Sequence, residues 1–250
     1  MEYRSELVVL FLTELVTLTS IIILLSSIYT DSGGIEGISY KSFVAYYVTT
    51  VFVGFITYVD ISRELGYNIK DGILSTYLLR PYNFMTQFLM QIFSQKTTRL
   101  SILAPIYLLL LIILINNLSV DSPGKTIFIG FFFAFIAMFM NYYMDLIISA
   151  MAFWVDDIWA FRHLKLVIFT ILGGAGFPFE LLSDQIRFIF ELLPFKFLFY
   201  VPVSYILGTR DFNSYLINDL FMISFWIITF VLLKSLIWRV GITKYEAYGN

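Results

Sequence analysis

The chain has no cysteine and a single histidine, His163. The first absence excludes disulfides, thiolate metal sites and a cysteine nucleophile, and the second leaves no imidazole cluster to hold zinc. Charge is scarce too: only 14% of the 250 residues are charged, and they sum to −2. A globular surface needs more polar side chains than that to stay wet. The small net charge identifies no partner, and no role with nucleic acid is expected.

Catalytic signatures are missing as well. Gly124-Lys125-Thr126 looks like the end of a P-loop, but that pattern requires glycine five residues before Gly124, where Ser119 stands. Pro123 reads as the turn former of a short loop. Asp71-Gly72 begins like the CDP-alcohol phosphotransferase signature, yet Ser75 and Thr76 occupy the positions of its alanine and arginine, and Asp156-Asp157 are adjacent instead of a turn apart. Neither G-x-S-x-G nor H-E-x-x-H occurs. No inverted repeat and no low-complexity segment is visible.

Long apolar runs are what the chain does have. Hydrophobic residues make up 59% of it and the mean hydropathy is +0.84, which identifies an integral membrane protein. Runs long enough to span lie at about 7–29, 42–59, 100–118, 127–153, 164–182 and 216–238. The expected fold is therefore all-α, one membrane domain over 1–250 with six transmembrane helices. No A-x-A-like cleavage site follows MEYRSE, so the first run is expected to be a retained span. In the fifth, Gly173, Gly174, Gly176 and Pro178 loosen and then break the helix.

Basic residues set the orientation. With a cytoplasmic N-terminus, the inner segments hold Arg4, Arg63, Lys70, Arg80, Lys96, Arg99, Arg162, Lys165, Arg239 and Lys244. The outer ones hold Lys41, Lys125, Arg187, Lys196 and Arg210, a roughly two-to-one bias that places both termini inside.

Two segments between spans are longer than a turn requires. The outer one, about 179–215, is divided by Pro194 and Pro202 into apolar pieces of about 10–12 residues, each reaching roughly half of a 30 Å hydrocarbon core. Such pieces dip in and return as a re-entrant hairpin. The inner one, about 60–99, carries an apolar stripe at Ile61, Leu65, Ile69, Ile73 and Tyr77, with Asp60, Arg63, Glu64, Lys70 and Asp71 opposite. Gly66 and Gly72 predict two short helices, with Asp71 as N-cap of the second and Pro81 as its stop. This amphipathic unit is either an interfacial helix or a docking helix for a soluble partner.

Three charged residues, Glu14, Asp145 and Lys234, lie about four or more residues inside a predicted span, all in the inner half, and Asn141 shares a helix face with Asp145. A structural ion pair of Lys234 with Glu14 or Asp145, a polar vestibule touched by cargo, and a proton relay all remain open. His163, between Arg162 and Lys165, reads as an interfacial residue.

The inner segment Gly72-Ile73-Leu74-Ser75-Thr76-Tyr77-Leu78-Leu79-Arg80-Pro81, together with GFPFELL from Gly176, LLPF with Pro194, YVP with Pro202 and the closing WRVGITKYEAYG, resembles the membrane subunits of ABC type-2 exporters. Within that family it is most similar to the small six-span branch, over roughly residues 42–249. The opening MEYRSE is shorter than the amphipathic N-terminal helix of many relatives. The resemblance implies a permease half-unit in the cell membrane of a bacterium, without catalytic residues, metal or cofactor of its own. It implies export of an amphipathic or hydrophobic cargo such as a lipid, glycan, drug or peptide. It implies cytoplasmic ABC ATPase subunits that bind ATP and Mg, and a second permease, identical or related. The coupling helix would dock to the ATPase through Glu64, Gly72, Tyr77, Leu79, Arg80 and Pro81, and Gly176, Pro178, Pro194 and Pro202 would shape the re-entrant hairpin. The competing classes are a membrane scaffold or immunity-type protein with no transport cycle, and a membrane enzyme.

Overall fold

A computed structural model describes residues 2–31, 39–115 and 123–245. They are helical throughout, with no strand among the described residues. The helices are α1 (Glu2–Asp31), α2 (Tyr40–Thr57), α3 (Ser62–Lys70), α4 (Leu74–Leu78), α5 (Phe84–Ile115), α6 (Pro123–Ala150), α7 (Trp159–Ile171), α8 (Asp184–Leu192), α9 (Tyr200–Ile206) and α10 (Phe212–Ile242). Three stretches, Tyr40–Lys70, Gly124–Phe153 and Phe212–Ile242, are long and apolar enough to cross a membrane.

Pattern explains which helices are enclosed. α6 is the central post: α2, α3, α9 and α10 all pack on it. α9 is buried along its whole length. α10 is the opposite case, with Ile217, Phe221, Phe225, Ile228, Leu232 and Leu236 forming one exposed apolar stripe at helical spacing. In water such a stripe would drive association; against lipid tails it is at rest. Caps mark the helix starts. Ser39 accepts from the Ser42 amide at 3.2 Å at the head of α2, and Asp211 accepts from the Ser214 amide at 3.0 Å at the head of α10. Hydrogen bonds from Ser214 also hold the Asp211 carboxyl below the usual carboxylate range, so this cap is present at neutral pH and is lost as the pH falls through its lowered value.

Two cores result. One gathers around α9, where Phe133 of α6 stacks on Tyr205 at 5.2 Å between ring centroids and Phe179 stacks on Tyr200 at 4.1 Å. The other joins Leu65, Leu74, Phe88, Leu146 and Trp238. At this second end converge the last turns of α6 and α10, the first turns of α5, both short helices α3 and α4, and Val59 and Ile61 of the link between α2 and α3.

Several expectations need correction. The fifth predicted span, 164–182, is not one helix: α7 stops at Ile171 after 13 residues, about 20 Å at the helical rise. The cause is Gly174, whose φ of 82° turns the chain out of the helical path. Pro202 does not divide the following segment, since it sits in the first turn of α9, where a proline costs no hydrogen bond. The division falls at Leu193, before Pro194, and at Phe199. Pro123 opens α6 instead of forming a loop, so Gly124-Lys125-Thr126 is the first helical turn. Asp71 closes α3; the N-cap of α4 is Ile73, which makes no side-chain cap.

Close contact between α6 and α9 depends on Gly130, where a Cβ would lie 2.7 Å from the Pro202 carbonyl oxygen and 2.4 Å from Ile206 Cγ1. At Gly124 a Cβ would meet nothing within 4 Å. Gly130→Ala is expected to cost about 1–3 kcal/mol by overpacking. At about 2–4 °C per kcal/mol for a chain of this size, that lowers the Tm of the detergent-purified protein by several degrees. Gly124→Ala should leave the Tm unchanged in the same thermal melt.

Candidate functional site

A helix that ends exposes its last carbonyls, and the next one begins with unpaired amides. Between α2 and α3 both sets are met by side chains from elsewhere in the chain. Lys96 of α5 donates its Nζ to the carbonyls of Phe55 at 2.9 Å and Tyr58 at 2.7 Å. Asn141 of α6 donates Nδ2 to the Thr57 carbonyl at 2.8 Å, and Lys165 of α7 donates to the Val59 carbonyl at 2.7 Å. On the far side of the break, Asp145 Oδ2 accepts from the amides of Ile61 at 2.7 Å and Ser62 at 3.3 Å. Asp145 thus serves as the N-cap that Ile61 does not supply. Lys165 and Asp145 also contact each other directly as an ion pair, with side chains 3% and 0% exposed.

Signs follow the helix dipoles. Donors and cations meet the negative C-terminal end of α2, and a carboxylate meets the positive N-terminal end of α3. A buried pair of this kind adds little net stability over a well-packed apolar substitute, but removing one member leaves a buried charge uncompensated.

The break sets the direction of α3, and α3 carries α4. Leu65 and Ile69 of the predicted stripe are buried, but Ile73 is not, because Gly72 with φ of 74° resets the helical phase and Leu74 takes the buried place. Glu64 is exposed and accepts from Gln91 Nε2 of α5 at 3.0 Å. Tyr77 rests on Phe88 at 5.9 Å between centroids. The Arg80 guanidinium lies 4.8 Å from the Tyr77 ring centroid and donates to the Tyr82 hydroxyl at 2.8 Å. Leu79 is 87% exposed, and Ile73, Leu78 and Tyr82 are exposed beside it. Pro81 follows the end of α4 on the surface. From the other end of the chain, the Tyr245 hydroxyl accepts the Ser75 amide at 3.0 Å, tying α4 to the segment after α10.

At the α9 end a second set of buried charges holds the chain between α7 and α10. Arg210 grips Asp219 through Nε at 2.6 Å and a terminal nitrogen at 2.8 Å, and Tyr205 donates to Asp219 at 3.0 Å. Lys196 lies 3.5 Å from the same carboxylate. Carbonyls freed where α7 ends are met in the same manner. Tyr46 donates to Gly174 at 2.5 Å, Tyr47 donates to Gly176, and the Tyr200 amide donates to Gly173 at 3.0 Å. Pro178 precedes a single turn of 3-10 helix at Phe179–Leu181, and Pro194 opens another at Pro194–Phe197.

No cluster of three metal-ligating side chains occurs among the described residues. No curated protein and no solved structure matches the chain. A family model described as "ABC-2 family transporter protein" matches residues 15–249. The chain belongs to the ABC-2 transporter family.

In this ABC-2 protein the polar residues found in the sequence have other partners than expected. Asp145 pairs with Lys165, not with Lys234, and Lys234 lies 3.7 Å from Met85 Sδ and 5.9 Å from the Tyr143 ring centroid. The side chain of Glu14 lies outside the described residues. Lys165 stood one residue inside the fifth predicted span, where it read as a flanking charge. Lys196 and Arg210 also read as flanks, yet both are buried on Asp219. Asp219 carried a usable signal, being a carboxylate inside the sixth predicted span.

Asp145→Ala strips Lys165 of its partner and two amides of their acceptor, and is expected to cost about 3–5 kcal/mol. Thermal unfolding in detergent would show it as a large drop in Tm. The exchange Asp145→Lys with Lys165→Asp is expected not to restore stability, because it turns a cation toward amides and a carboxylate toward the Val59 carbonyl. Full recovery in the exchanged variant would mean that the ion pair alone matters.

Proposed function

We propose that the chain is the permease half-unit of an ATP-driven exporter, with nucleotide chemistry on separate cytoplasmic ATPase subunits that bind ATP and Mg. The observation that carries this reading is the tip of α4: an exposed apolar end, Leu78-Leu79 with Ile73 and Tyr82, on a support fixed by buried polar contacts. Exposed leucine at the end of a rigid helix is costly in water and useful in a partner's cleft.

Six helices would cross, α1, α2, α5, α6, α7 and α10, with α7 the short one. In this reading α8 and α9 form the outer re-entrant hairpin. Both termini and α3–α4 lie in the cytoplasm. Removing the half-buried Lys96 and the buried Lys165, Lys196 and Arg210 from the flank comparison leaves its inward bias intact.

ATP-driven closure of the ATPases would displace α4. Because Asp145 and Lys165 join α3 to α6 and α7, and Tyr245 joins α4 to the segment after α10, the displacement passes to helices of the bundle and not into a flexible loop. Two half-units, identical or related, would then rearrange around an export path for an amphipathic or hydrophobic cargo.

Leu79→Asp with Arg80→Glu changes only exposed side chains, so the Tm should hold. Co-purification with the cognate ATPase and permease-dependent ATP hydrolysis should fall at least about ten-fold, the effect of losing one apolar anchor and one charge contact. Unchanged association would show that the ATPase docks elsewhere.

A further inference from the structure

Beside the α2–α3 break lies a cavity of about 510 Å³ between α2 and α5, within the range of small-molecule sites. Its walls divide by chemistry. Val51, Ile92 and Phe199 supply apolar surface; Lys96, Arg99 and Asp60 supply charge. Asp60 is already committed, since both of its oxygens bond Arg162, at 3.1 and 2.8 Å. Lys96 has three N–H donors and spends two on the carbonyls of Phe55 and Tyr58. Arg99 lies one turn further along α5, and among the described residues no carboxylate pairs with it. Two cations three residues apart on one helix repel each other, and one anion between them removes that cost.

We propose that this cavity binds the anionic headgroup of an acyl-chain amphiphile, a phosphate or carboxylate held by Arg99 and the remaining Lys96 donor while its chain lies against Val51, Ile92 and Phe199. A zwitterionic choline-phosphate headgroup brings its own cation toward Lys96 and Arg99, and a free anion without a chain leaves the apolar wall empty. The site deepens the permease reading by naming a charge class for what the membrane face of this chain holds, and it rests on that reading only for its place in the membrane.

Native mass spectrometry of the purified full-length chain, loaded from equimolar phosphatidylglycerol and phosphatidylcholine in neutral detergent, tests it. The wild type should retain phosphatidylglycerol in preference. Arg99→Gln should cut that retention about ten-fold, the scale of a lost charge-assisted guanidinium–phosphate contact. Arg99 is exposed and caps no carbonyl, so this variant keeps its fold, and an unchanged melt verifies that. Lys96→Arg, which keeps the charge, should retain the lipid. Millimolar glycerol phosphate should fail to displace it. Equal retention of both lipids, indifference to Arg99→Gln, or displacement by glycerol phosphate alone would each overturn the proposal. Failure of ATPase association with lipid selectivity intact would instead count against the permease reading and leave this site standing.

Discussion

A helix end buried away from water must have its terminal carbonyls, and the next helix's first amides, met by protein. This constraint organises the chain. Between α2 and α3 it recruits side chains from three other helices, Lys96, Asn141, Asp145 and Lys165, each bonded to a particular backbone atom of the break. The break needs both donors and an acceptor because a helix end and a helix start meet there. Where α7 ends, carbonyls of the following loop lack helical partners, and tyrosine hydroxyls from α2 meet two of them. The same rule thus yields a charged junction at one end and an uncharged one at the other.

Polar contacts at the charged junction fix the direction of α3 and, through it, of α4. In a bilayer the apolar effect does little to hold helices together, since lipid tails are as apolar as leucine. Close packing and polar bonds have to do it. Gly130 supplies the first by letting α9 touch α6, and Asp145 with Lys165 supplies the second. An apolar substitute for that pair would pack as well but leave the Val59 carbonyl and the Ile61 amide without partners. The pair therefore persists for its backbone contacts more than for its mutual attraction.

Legibility in the sequence followed locality. The apolar runs, the two short helices after the second run and the buried Leu65 and Ile69 could be read from periodicity, because each depends on residues a few positions apart. Family membership could be read from Gly72–Pro81 and the proline-marked segments that follow the fifth run. Ion-pair partners could not. Asp145 and Lys165 are separated by 20 residues and meet only because α6 and α7 both contribute side chains to the break. A lysine at the edge of an apolar run looks the same whether it faces headgroups or a buried carboxylate. The cap of α4 was misjudged because Asp71 suits either end of a helix boundary, and the positive φ of Gly72 decides which.

The chain's lack of cysteine permits a direct test of the central claim, that α4 is the surface the ATPase covers. Leu79→Cys would carry the only thiol on the α4 tip, and Gly124→Cys a control thiol at the exposed head of α6. Maleimide labelling would be timed on each, alone and after assembly with the ATPase subunits. Fast labelling at position 79 in the isolated chain and strong protection in the complex, with position 124 labelled equally in both, is the predicted result. Labelling at position 79 as fast in the complex as alone would contradict it.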